Sequence, residues 1–163
     1  MRIFFKIAID KRARIRYNNI KYFFERHTVM QRKQARENAF ILIFESVFKK
    51  DETAEEIFTK AVSERRLETD DYVKSVFFGS GENAEVIEAA VEPHLTGWKK
   101  ERLSPVATAL IRLGAYEIIF MEDIPVKVSI NEAVELAKKY GDDKSYAFVN
   151  GVLNALAKEY SAK

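Results

Sequence analysis

The sequence predicts an all-helical protein, on three observations. From Gln31 onward apolar residues recur at helical spacing, no stretch after residue 30 alternates convincingly as a strand, and helix-boundary residues fall where the periodicity starts and stops. Seven helices in one compact domain are expected over residues 30–163, preceded by a basic extension over 1–29.

The elements follow in order. Phe40, Ile43, Phe44, Val47 and Phe48 keep the i, i+3, i+4, i+7, i+8 spacing of an amphipathic stripe and predict a first helix over about 31–49. Ala54, Ile57, Phe58, Ala61 and Val62 predict a second over about 52–65. A third begins near Thr69–Asp70 and carries Tyr72, Val73, Val76 and Phe77; acidic residues stand at both of these starts, as helix dipoles prefer. Gly79-Ser80-Gly81 breaks the period and is expected to turn the chain into a fourth helix with Val86, Ile87, Ala90 and Val91, closed by Pro93 and Gly97.

Ser104-Pro105, an N-cap followed by proline at the first helical position, opens the fifth helix. That helix runs through Ala109, Leu110, Leu113, Tyr116 and Ile119 and is apolar on several sides, so it should be central. Ser129-Ile130-Asn131-Glu132 has the pattern of a capping box opening helix six, and Gly141 that of its left-handed stop. The last helix, about 144–160, carries Phe148, Val149, Val152, Leu153 and Leu156. Gly151 inside it costs about 1 kcal/mol relative to alanine, which points to close helix approach or a functional surface.

At 163 residues, with 47% hydrophobic and 32% charged residues, the chain can bury a core without metal or disulfides. It has no cysteine and only His27 and His94, which excludes a disulfide framework, a thiolate metal site and a cysteine nucleophile. No apolar run approaches the ~18 residues needed to span a bilayer. The pairs Asp70-Asp71 and Asp142-Asp143 are explained by capping, Gly79-Ser80-Gly81 lacks the Gly-Lys-Ser/Thr of a P-loop, and His94 has no second histidine at metal-ligand spacing. No catalytic, cofactor or metal site is expected.

The net charge of +2 conceals an asymmetry. Residues 1–36 hold eleven Lys/Arg against Asp10 and Glu25, a balance of +9, and the remainder carries −7. Such a basic end suits a polyanion, nucleic acid above all, and equally describes a solvated tail. Residues 1–29 mix aromatics with Arg and Lys and join no helical stripe; because Met30 directly precedes a well-formed helix, it is expected to be the natural start. An Arg-rich, acid-poor beginning is also the composition of an organellar transit peptide.

Within the first helix, Arg32 and Arg36 lie one turn apart with Lys33 between them, and they are expected to form one basic face. Cations at a helix N-terminus oppose the dipole, whereas phosphates are drawn there, so the cluster suggests single-stranded RNA held by phosphate contacts and base stacking. A merely soluble helix end accounts for the same residues.

Three stretches, in order, carry a family resemblance. They are Arg32-Lys33-Gln34-Ala35-Arg36-Glu37-Asn38-Ala39, then Leu110-Ile111-Arg112-Leu113-Gly114-Ala115-Tyr116-Glu117-Ile118, then Val128 to Gly141 (VSINEAVELAKKYG) with Phe148-Val149-Asn150-Gly151-Val152-Leu153-Asn154. Over about residues 30–160 the chain closely resembles the NusB family. The resemblance implies an all-α fold of two packed helical sub-bundles and a cytoplasmic, non-enzymatic transcription antitermination factor without cofactors. It also implies a heterodimer with the small-subunit ribosomal protein NusE, binding of the boxA element of ribosomal RNA transcripts, assembly on RNA polymerase, and a homodimer as one state of the unbound chain.

Carried over by position, Arg32, Lys33 and Arg36 match the family's arginine-rich RNA-binding start, and Phe148, Asn150 and Gly151 match its FVNG-type motif. Phe148 fits a core position equally well. Lys127, just before the expected sixth helix, is a further candidate phosphate contact, although a single surface lysine is usually just solvated. Arg112 and Glu117 match the family too, but on an apolar helix they resemble structural polar groups that need partners. Gln31 and Gln34 stand where many members carry arginine, which weakens the expected affinity, and Lys144 stands where an acidic residue is common. Two alternatives remain at this point: a helical protein–protein scaffold with an incidental basic start, and a stand-alone accessory module of a ribosomal RNA methyltransferase system.

Overall fold

Helical periodicity becomes seven α-helices among the described residues, which are 30–95, 103–142 and 144–161 of a computed structural model. They are α1 (Arg32–Phe48), α2 (Ala54–Ser63), α3 (Asp71–Glu82), α4 (Ala84–Val91), α5 (Pro105–Phe120), α6 (Val126–Tyr140) and α7 (Ser145–Ser161), with a 3-10 turn at Glu92–His94. All seven fall in one compact unit, Arg32–Lys163. The expected extension over 1–29, and with it the reading of Met30 as the start, lies outside the described residues.

The all-round apolar character of α5 puts it at the centre, as expected: it packs against α1, α3, α4, α6 and α7. Helices α1–α3 form one set of contacts around α1, α6 and α7 pack on each other, and α5 belongs to both sets. Leu110 and Leu113 of α5 are fully buried, together with Leu153 and Leu156 of α7. Each such side chain contributes about 1.5–3 kcal/mol on removal from water. Two glycines set how closely the helices approach. A Cβ on Gly114 would stand 2.6 Å from Leu153 Cδ1, and one on Gly79 would collide with the Tyr116 ring.

Helix ends follow local chemistry. Ser104 Oγ accepts from Ala107 N at 3.1 Å, with Pro105 at the first helical position. Asp70 caps α3 by accepting from Val73 N at 2.9 Å. Asp142 does the same for α7, accepting from Ser145 N at 2.8 Å and from Ser145 Oγ at 2.6 Å. The capping reading of these two aspartates therefore holds; Asp143 lies outside the described residues.

Three boundary expectations are corrected. Gly79-Ser80-Gly81 is not a turn but the last part of α3, because the small residue at position 79 accommodates Tyr116 from α5. Helix α6 opens at Val126 with Pro125 as N-cap, so Ser129 is interior and buried, and its Oγ has no hydrogen-bond partner. A reciprocal capping box does exist, between Thr53 and Glu56 at the start of α2. Gly141 ends α6 in an extended conformation at φ −96°, not a left-handed one, and a Cβ there would crowd Ala137 O and Ser145.

Candidate nucleic-acid interface

The first turn of α1 separates the three expected cations. Arg32 and Lys33 are exposed, whereas Arg36 is only 2% exposed. Arg32 and Arg36 do share one side of the helix, but that side faces α3 and α5, so the expected single outward basic face is not formed. Arg36 Nε donates to Glu117 Oε1 at 2.9 Å, its Nη1 stands 3.8 Å from Glu132, and Tyr72 OH donates to the same Glu117 oxygen. Glu117 is fully buried, and a carboxylate there requires a counter-charge. Burial works against the Arg36 charge, but Glu117, Tyr72 and Glu132 outweigh it and raise the guanidinium pKa. Burial, reinforced by Glu117, also drives the Tyr72 phenol far above its ordinary range. Glu117 is thus the partnered structural group expected from the sequence. Arg112 lies 3.5 Å from Glu88.

Arg32 stays at the surface with its guanidinium 4.5 Å from the centroid of the Tyr72 ring, a cation–π placement that orients it at the end of α1. Against Glu37 and Phe40 of α1, the C-terminal half of α6 brings residues that the sequence did not single out. Lys139 Nζ donates to Glu37 Oε1 at 2.7 Å, and Tyr140 OH donates to the same oxygen. Lys138 Nζ donates to Glu135 at 2.7 Å and lies 6.0 Å from the Tyr146 ring centroid. Burial would raise the Glu37 carboxyl, but the hydrogen bonds from Lys139 and Tyr140 and the charges of Lys139 and Lys33 hold it below the ordinary 4.5. The bond from Lys138, with the field of Lys33, lowers Glu135. Lys33 therefore acts on both acidic groups, and α1 and α6 share one charged surface on which Tyr140 and Tyr146 are about 40% exposed.

The remaining expected residues divide between this surface and another. Lys127 is exposed and sits on the same stripe of α6 as Lys138, eleven residues or about 17 Å along the axis. Asn150 is one turn beyond Tyr146 on α7, and Asn154 Nδ2 donates to its carbonyl oxygen at 2.8 Å and to its Oδ1 at 2.9 Å. Gly151 is exposed, and a Cβ there would meet no atom within 4 Å, so it marks open surface rather than close helix approach. Phe148 lies on nearly the opposite side of α7 from Asn150. It is half-buried beside a cavity of about 230 Å³ that is also lined by Leu103, Ser104, Ala107, Lys144 and Ser145.

Cations, exposed tyrosines and an amide on adjacent helices make a surface suited to phosphates and stacked bases. Among the described residues no group of three or more His, Cys, Asp or Glu is placed to hold a metal, and no helix is long and apolar enough to cross a membrane. The sequence pattern of the NusB family matches residues 33–158.

The chain belongs to the NusB family.

Among NusB relatives, it is 44% identical to the transcription antitermination protein NusB of Clostridium novyi (strain NT), over 79% of this chain and 99% of that protein. It is 45% identical to the protein of the same name from Bacillus licheniformis, over 77% of this chain and 95% of that one. The fold is similar to that of T. maritima NusB, with a TM-score of 0.71 and 36% identity over 80% of this chain and 92% of that one. It is also similar to a chain in a crystal structure of antitermination factors NusB and NusE in complex with dsRNA, with a TM-score of 0.70 and 33% identity over 79% of this chain and 97% of that one.

The cations and tyrosines missed in the sequence were visible as Lys138-Lys139-Tyr140, but lysines in a last helical turn are already explained by the dipole. Only the bonds of Lys139 and Tyr140 to Glu37 on α1 give them a second role.

Proposed function

We propose that this chain is a cytoplasmic, non-enzymatic transcription antitermination factor. The surface of α1 and α6 holds a boxA-type RNA, another face binds NusE, and the pair nucleates assembly on RNA polymerase. The observation that carries this reading is the convergence of Lys33, Lys138 and Lys139 with Tyr140 and Tyr146, with Arg32 exposed at the same end of α1, in a NusB-family chain. Its similarity to a NusB chain crystallised with NusE and double-stranded RNA supports both partners. The exposed tyrosines favour a single strand, whose unstacked bases can lie on aromatic rings.

The cations bind phosphate and set register, and the aromatics and Asn150 meet bases. Arg36 has no part in phosphate contact, because leaving Glu117 would strand a buried charge. NusE adds a second weak surface, and joining two weak surfaces raises occupancy through effective concentration.

The test is binding of labelled boxA-type RNA by the full chain at two salt concentrations, with and without NusE, beside Arg32→Ala/Lys33→Ala. Selective, salt-dependent binding that NusE strengthens and the variant loses is the expected result. Absence of selective binding in every condition would replace this reading with a protein–protein scaffold.

A further inference from the structure

Among the cations Lys33, Lys138 and Lys139 of α1 and α6 stands a carboxylate, Glu37. Glu37 repels a polyanion, yet it occupies the second turn of α1, one turn after Lys33 and in contact with the C-terminal end of α6. Its Oε1 accepts from both Lys139 Nζ and Tyr140 OH, and its side chain is 17% exposed. Tyr140 is further held by Phe40, whose ring centroid lies 5.1 Å away, and Lys139 Nζ stands 5.1 Å from the Tyr140 centroid. One acidic oxygen thus fixes both a cation and an aromatic ring that would otherwise rotate independently. Fixing them before the ligand arrives removes rotamer entropy that binding would otherwise have to overcome.

We propose that Glu37 is a specificity-determining positioning residue: it lowers general affinity for polyanions and holds Lys139 and Tyr140 in the one arrangement that accepts a phosphate and its neighbouring stacked base together. This inference rests on the RNA-binding reading of the same surface. Charge alone and positioning make opposite forecasts for loss of the carboxylate. A mere negative charge near phosphates weakens every RNA equally, so neutralising it would tighten all RNAs alike. A positioning carboxylate sacrifices non-specific binding for a preset geometry, so neutralising it tightens or spares the wrong RNA and weakens the right one.

The experiment compares Glu37→Gln and Tyr140→Phe with the unsubstituted full chain. Each is bound to a labelled boxA-type RNA and to a scrambled strand of equal composition, at two salt concentrations. Glu37→Gln keeps a carbonyl oxygen that can accept but loses the charge that strengthens both bonds. It is therefore expected to weaken the boxA-type strand by about fivefold, the difference between a charge-assisted and an ordinary hydrogen bond, while the scrambled strand binds as well or better. Tyr140→Phe keeps the ring and loses only its hydroxyl bond to Glu37, so the ratio of the two affinities should fall in the same direction by less. Retained helical circular dichroism and cooperative melting establish that both variants fold. Equal tightening of both strands, or no change in either for both variants, overturns the role of Glu37 and leaves RNA binding intact. Failure of the unsubstituted chain to prefer the boxA-type strand overturns both readings together.

Discussion

Arg32 and Arg36 stand one helical turn apart on the same side of α1 and have opposite fates. Arg36 is sealed between Glu117, Glu132 and Tyr72, whereas Arg32 rests on the Tyr72 ring with its outer side in solvent. The two share a residue type, a helix and even an aromatic neighbour. What separates them is Glu117, 81 residues away in sequence, whose burial on α5 demands a cation within reach. The pair shows that a basic motif at a helix start can serve two functions at once, one arginine holding the helix in place and its neighbours remaining available to a ligand.

The largest way to break the contrast is Arg36→Ala. It leaves Glu117 buried and uncompensated and should cost about 3–5 kcal/mol, read from urea unfolding. An equal loss from the Arg32→Ala/Lys33→Ala variant would erase the distinction; that variant should instead stay within about 1 kcal/mol of the parent. Next is Gly79→Ala, expected to destabilise by about 1–3 kcal/mol because the added methyl meets Tyr116, and visible as a lower denaturant midpoint. Gly151→Ala sharpens the comparison from the other side: on open surface in α7 it should stabilise by up to about 1 kcal/mol.

The exposed half of the contrast is read through RNA. Arg32→Ala/Lys33→Ala should reduce the dependence of log affinity on log salt by about 0.7 for each lost contact to a single-stranded phosphate, measured by titration at several salt concentrations. The smallest effect concerns pH. The Glu37 carboxyl lies below its ordinary 4.5, so its contribution to stability is complete above the ordinary carboxylate range and is lost as pH falls through the folded value. The parent and Glu37→Gln should therefore differ in melting temperature at neutral pH and converge only as pH falls through the folded value, below the ordinary 4.5.

Much of the fold was legible because local rules and tertiary packing agree. The stripes of α1 and α2 reach the core through Phe40, Ile43, Ile57 and Ala61 but leave Phe48 and Val62 exposed, Ser104-Pro105 opens α5, and the apolar girth of α5 puts it at the centre. Where local signals failed, a distant residue had taken over. Gly79 looked like a turn because glycine weakens helices, but here its missing side chain is filled by Tyr116. Ser129 and Glu132 had the spacing of a cap, yet Ser129 is buried inside α6 and Glu132 points to Arg36. The interface was half legible for the same reason. Arg32, Lys33, Lys127, Asn150 and Gly151 are exposed as their candidate roles require, while Arg36 turned inward and Lys139 and Tyr140 gained meaning only from Glu37 on another helix.

The dependence of α1 on α5 also has a schedule. Arg36 is made 81 residues before Glu117, and at ordinary synthesis speeds of about 5–20 residues per second the guanidinium waits roughly 4–16 s for its carboxylate. Throughout that interval the first three helices have an incomplete core, since the helix that contacts α1 and α3 from the centre has not been made. The nascent N-terminal half therefore emerges with the face that α5 will cover still open, and slowing translation before residue 117 should prolong its exposure to chaperones and proteases.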